Sequence, residues 1–290
     1  MEQESVKIQA IDVLNYPFTT EALAHLYDNW DFKYVSEAVF KQPLKMDPDL
    51  LEANTPEKFV ALMDKSGYEK VFISAPKMFS FRKKTLLWNF HVDQVYEMIK
   101  DYPGRLVGIA GYDPYHIEDS LKEVDHAIKD LNFKGVYAHV YGFDLPINDR
   151  TMYPLYAKCN ELGVPVSLQT GHSLENMPTE HGRPLLIDRV ALDFPNLRLI
   201  ISHTGWPWVE EAIAMAWKHE HVYLDISAHF PMYLDPSIVR FMDTRGRDKT
   251  LFGTNGMGLK RFTDQFAELE VRDKTRQKVL RENAIKVFNL

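Results

Sequence analysis

A single (β/α)8 barrel is the fold that the 290-residue sequence predicts, on three observations. Eight short runs rich in β-forming residues are mostly apolar on both faces, as parallel strands covered by helices are. Longer amphipathic stretches alternate with them. No Gly/Ser/Pro-rich linker or low-complexity tract interrupts the chain, so residues 1–290 read as one domain. Eight strands, each followed by helical sequence, favour the barrel over an open doubly wound sheet.

The runs are Val6–Leu14, Lys70–Ala75, Leu106–Gly111, Gly135–Val140, Pro165–Gln169, Leu197–Ser202, Val222–Ser227 and Thr250–Gly253. Between the first two, Thr55-Pro56 places an N-cap before a proline at the first helical position. It opens a helix over Glu57–Lys65, with Gly67 just past its end. Ile117–Leu131 spaces Leu121, Val124, Ile128 and Leu131 on one helical face. Met152–Leu162 stops at Gly163, a residue suited to a left-handed C-terminal cap. Trp208–Trp217 and Asp273–Phe288 are the last clear helices. Residues 18–54 are less regular and read as an insertion near the barrel mouth.

Composition excludes several classes. A net charge of −7 leaves no basic footprint for nucleic acid. The first residues lack the basic start and apolar stretch of a signal peptide, and no apolar run is long enough to cross a membrane. A cytoplasmic protein with a small-molecule substrate is the expectation. The one cysteine, Cys159, falls in helical spacing with Leu155 and Leu162 and reads as a packing residue rather than a nucleophile.

Barrels of this type build their active sites at the carboxyl ends of the strands. Here the first run leads to Asn15 and Tyr16, the fourth to His139 and Tyr141, and the fifth to Gln169 and His172. The sixth leads to His203 and Trp206, the seventh to His229 and the eighth to Asn255. Imidazoles, carboxamides and a tyrosine on one rim suit proton transfer and carbonyl polarisation. The loop Ser173–Arg183 is long enough to close over a ligand, and Arg183 or Arg150 would then hold a carboxylate.

The run Phe194-Pro195-Asn196-Leu197-Arg198-Leu199-Ile200-Ile201-Ser202-His203-Thr204-Gly205 resembles the sixth-strand motif of amidohydrolase-related proteins. These include aminocarboxymuconate semialdehyde decarboxylase and pyrone dicarboxylate lactonase. Residues 154–166, Leu251-Phe252-Gly253-Thr254 and the tail Val279–Phe288 are similar to later passages of that family, so ordered matches cover about residues 106–290. The resemblance implies a barrel of the metal-dependent-hydrolase type, and dimers are common among the relatives.

It also implies a metal site, zinc or another divalent ion, whose ligands this chain mostly lacks. Where the family has Asp-x-His-x-His, the sequence reads Asp12-Val13-Leu14-Asn15-Tyr16. Gln169 stands for the fifth-strand histidine and Asn255 for the eighth-strand aspartate, while His203 is kept. Leucine has no donor atom, and neutral amides are poor ligands for such an ion. The expectation is therefore no metal and no other cofactor. The leading reading is a metal-independent hydrolase of a lactone, ester or cyclic ketone, its substrate a small oxygenated or carboxylated compound. His203 or His172 would be the base, and Gln169 and Asn255 would donate to an oxyanion. Tyr16, Asn15, His139, Tyr141, Trp206, His229 and Arg183 would bind the substrate. The alternatives are a decarboxylase of the same family, a shifted metal site built from His139, His172, His203 and His229, and a binding protein without catalysis.

Overall fold

Alternation along the strands sorts their side chains into two layers, and that sorting makes the barrel. The computed structural model describes residues 8–27, 29–33 and 47–290. Its strands are β1 (Ala10–Asn15), β2 (Tyr68–Ser74), β3 (Lys77–Phe79), β4 (Leu86–Asn89), β5 (Leu106–Ile109), β6 (Val136–Ala138), β7 (Val166–Gln169), β8 (Leu199–Ser202), β9 (Val222–Asp225) and β10 (Thr250–Leu251). Ile11, Val13, Phe72, Ile109, Ile200 and Tyr223 belong to one buried cluster. Their neighbours Val71, Leu106, Val166, Leu199, Ile201 and Leu224 belong to a second, packed with the helices. Residues one apart on a strand point to opposite faces, so the first cluster fills the barrel and the second seats the helices.

The hydrogen bonding closes the ring. β1, β2 and β5 pair in parallel, and β6 to β10 form a second parallel set. The bond from Tyr137 N to Ala110 O, at 2.8 Å, joins the two. Val13 N donates to Phe252 O at 3.0 Å and Asn255 N to Leu14 O at 2.9 Å, which brings β10 back to β1. All eight predicted runs are barrel strands, some shorter than expected; residues 6–7 of the first lie outside the described residues. β3 and β4 form an antiparallel hairpin that the sequence reading did not anticipate.

Local signals end the helices where the sequence said they would. Thr55 Oγ1 accepts from Lys58 N, and Gly67 follows Pro56–Ser66 with φ 79°. Gly163, at φ 65°, caps Tyr153–Leu162. The C-terminal helix is interrupted, running α over Asp273–Gln277, π over Lys278–Glu282 and α over Asn283–Phe288. Buried Asn283 donates to Arg247 O and Thr250 O, fixing this segment to β10. Phe288 packs 4.5 Å from Phe72 and closes the barrel floor. Cys159 is buried on the helix side, and burial pushes its thiol pKa far up, which suits packing rather than attack. Among the described residues, no helix is long and apolar enough to cross a membrane.

Candidate active site

Opposite that floor, the strand ends surround a cavity of about 300 Å³. Its backbone is set for a purpose other than regularity. His203 (φ 64°), Thr204 (φ 60°), Ala228 (φ 63°) and Asn255 (φ 57°) all adopt left-handed conformations just beyond β8, β9 and β10. Such residues cost on the order of 1–3 kcal/mol each and persist where the surroundings impose them, commonly at active sites.

His203 is held from behind. Its Nδ1 lies 2.9 Å from Ser227 Oγ, and Ser227 in turn donates from Oγ to Asp225 Oδ2 at 2.7 Å and from N to Oδ1 at 2.8 Å. With Asp225 ionised, the Ser227 hydroxyl donates its proton to it and accepts from His203 Nδ1–H. The lone pair of neutral His203 is then on Nε2. Burial, followed by the charge of His229, takes the His203 pKa down to about 3, and burial takes that of His229 to about 4. His172 is also lowered by burial. All three imidazoles line the cavity as neutral groups near pH 7.

The carboxamides are oriented by similar chains. Tyr137 OH donates to Gln169 Oε1 at 2.8 Å, with Tyr16 OH 3.1 Å from Tyr137 OH. Since the Gln169 oxygen is taken, its Nε2 donor is the end left for a ligand. Asn15 donates from Nδ2 to Asp12 and Thr254, each at 3.2 Å, and accepts from Tyr16 N. Asp12 is buried, and burial raises its pKa to about 6 against the lowering bonds from Thr254 and Leu14. Asp225, likewise buried, is raised to about 7. Asn255 Oδ1 is buried without a hydrogen-bond partner. An unmet buried polar atom costs about 1–3 kcal/mol.

Two site residues escaped the sequence reading. Glu175, on the loop after β7, enters the cavity. Burial acts to raise its pKa, but its contacts with His139 and the Ser173 hydroxyl outweigh burial and hold it ionised, down to about 2. His139 Nε2 lies 3.6 Å from Glu175 Oε1, an ion-pair distance beyond a hydrogen bond, and Ser173 Oγ donates to Oε2 at 2.6 Å. An acidic residue three positions after His172 on the loop flagged for closure was the available signal. Trp88, from the hairpin, also lines the cavity, with its ring 5.0 Å from that of Tyr16. Its indole Nε1 is also buried without a partner. The alternation of Met78, Ser80 and of Leu86, Trp88, Phe90 around a basic turn was its signal.

The structure gathers Asn15, Tyr16, Gln169, His172, His203, Trp206, His229 and Asn255 on the cavity wall. The other three expected residues lie elsewhere. His139 is buried against Glu175, Tyr141 donates its hydroxyl to Gly171 O at 2.8 Å, and neither is on the wall. Arg183 is drawn outward by Glu211, with Nε and Nη2 contacts of 2.5 to 3.1 Å, and is outside the cavity. From residues 18–54, Phe18, Leu23, Phe32 and Leu50 line the wall.

The sequence profile of the amidohydrolase family matches residues 75–290. The chain belongs to the amidohydrolase family. Among solved structures it is similar to an uncharacterised TIM-barrel protein of Bordetella bronchiseptica, at 24% identity, TM-score 0.79, covering 97% of this chain and 99% of that one. It is similar to a dihydroxybenzoic acid decarboxylase of Polaromonas sp. JS666 with bound manganese and 2-nitroresorcinol, at 18% identity, TM-score 0.69, covering 98% and 97%. A third is the 5-carboxyvanillate decarboxylase of Novosphingobium aromaticivorans, with manganese and 4-hydroxy-3-methoxy-5-nitrobenzoic acid. It is 16% identical, with TM-score 0.69, covering 98% and 96%.

Manganese in these relatives corrects the expectation that this amidohydrolase site involves no metal, which rested only on the substituted strand-end residues. The residues of this chain were tested against such an ion. Among the described residues, no three His, Cys, Asp or Glu side chains come together as a metal-holding group. The other donors on the wall include the neutral amides of Asn15, Gln169 and Asn255. This arrangement does not fit a divalent ion, and no step below runs through one.

Proposed function

We propose that this amidohydrolase is an enzyme that hydrolyses a lactone or ester of a small oxygenated ring compound in the strand-end cavity. One observation carries the reading: the Ser227–Asp225 pair fixes neutral His203 with its Nε2 lone pair free, on the same wall as the Nε2 donor of Gln169.

In that arrangement His203 Nε2 takes a proton from water as the water oxygen attacks the ester carbonyl. Gln169 Nε2 donates to the oxygen that gains charge. The carbon–oxygen bond of the ester then breaks, and His203 returns the proton to the leaving oxygen. The Glu175 carboxylate supports the transient imidazolium, since its charge acts to raise the His203 pKa. Trp206, whose ring is 4.9 Å from that of His172, walls the site towards solvent.

A carboxy-lyase is the second reading, and the decarboxylase relatives favour it. Acid release from 3,4-dihydrocoumarin, followed beside carbon dioxide release from 2,6-dihydroxybenzoate, separates the two. Hydrolysis of the lactone is expected, with kcat/KM falling about 10²–10⁴-fold in His203→Gln. Carbon dioxide release with no lactone turnover would replace the hydrolase reading with the carboxy-lyase one.

A further inference from the structure

The cavity is divided into an apolar slot and a polar end, and the two ends differ in charge as well as polarity. Tyr16 and Trp88, tilted 39° to each other, join Phe18, Phe32 and Met78 as a wall suited to a flat ring. The polar end carries the Glu175 carboxylate, and no Lys or Arg side chain lines the cavity among the described residues. Arg183, on the loop that carries Glu175, is bound to Glu211. Lys77, near the hairpin, is paired with Glu123 at 3.0 Å.

We propose that the site selects an uncharged planar ring and rejects the carboxylated form of the same ring. The ring lies against Tyr16 and Trp88 in the apolar slot. A ring carboxylate would bring a second negative charge to the wall that holds Glu175, and like charges brought together in a desolvated site oppose binding. Burial keeps His203 and His229 neutral, and His139, which faces Glu175, lies behind the cavity wall, so none of them offsets this.

This specificity rests on the proposed function only in placing the substrate in this cavity, so its test reads binding alone. The probes are salicylamide and salicylate, rings of one shape that differ in charge at neutral pH. Titration calorimetry on the full chain, with quenching of tryptophan emission as a second readout, compares them. Salicylamide is expected to bind at least about tenfold tighter than salicylate. Trp88→Ala should weaken salicylamide by about tenfold, losing the ring contact. Glu175→Gln should narrow the gap by strengthening salicylate, a gain that a misfolded variant cannot give. Equal or tighter binding of salicylate, or no binding of either probe, overturns the proposal. Salicylamide binding without any lactone turnover would leave the specificity standing and remove only the hydrolase reading.

Discussion

The two ends of this barrel are made from the same strands and obey opposite rules. At the floor, Phe288 meets Phe72 in a cluster of buried apolar side chains. At the mouth, the chain leaves three of the strands through left-handed residues, and Asn255 and Trp88 keep buried polar atoms without partners. The floor maximises burial, whereas the mouth holds imidazoles, carboxamides and a carboxylate in fixed directions at the expense of stability. The difference teaches that the strand pattern specifies the barrel, while loops and strand exits specify the chemistry.

Changes at each end should therefore separate stability from binding. The largest effect belongs to the floor: Phe288→Ala should cost about 3–5 kcal/mol of unfolding free energy. Salicylamide affinity should stay within twofold of the wild type under conditions where the variant is folded. Denaturant unfolding and calorimetry check the two halves of that statement. A loss of affinity with the fold intact would mean that the ends are coupled. The smaller effect belongs to the mouth. Ala228→Gly, at φ 63°, relieves a left-handed alanine and should raise stability by about 0.5–1 kcal/mol. A destabilisation there would show that the Ala228 methyl contributes packing that outweighs its conformational strain.

Legibility followed the same division. All eight barrel strands could be read because each presents apolar residues to both layers, and the caps at Gly67 and Gly163 could be read because few other residues take that conformation. Eight of the eleven rim residues named from the sequence share the cavity wall, since a strand end fixes where the next side chain goes. His139 and Tyr141 lie behind that wall and Arg183 outside it, because their places depend on Glu175, Gly171 and Glu211, partners distant in sequence. Glu175 and Trp88 come from a loop and a hairpin, and the pattern that marks each segment does not say that its side chain reaches the cavity. Leu14, Tyr16, Gln169 and Asn255 at the family's ligand positions led the sequence reading to a site without metal, and the manganese of the relatives corrects it.

The direction in which His203 offers its lone pair is the point on which the chemistry turns. Long-range ¹H–¹⁵N spectra of protein labelled at histidine nitrogens, recorded from pH 8 to pH 5, observe it directly. With a pKa held near 3 by burial, His203 should remain neutral throughout, and at pH 8, where Asp225 is ionised, its proton should lie on Nδ1 with Nε2 bare. A proton on Nε2 at pH 8, or an imidazolium already formed by pH 6, would contradict the account.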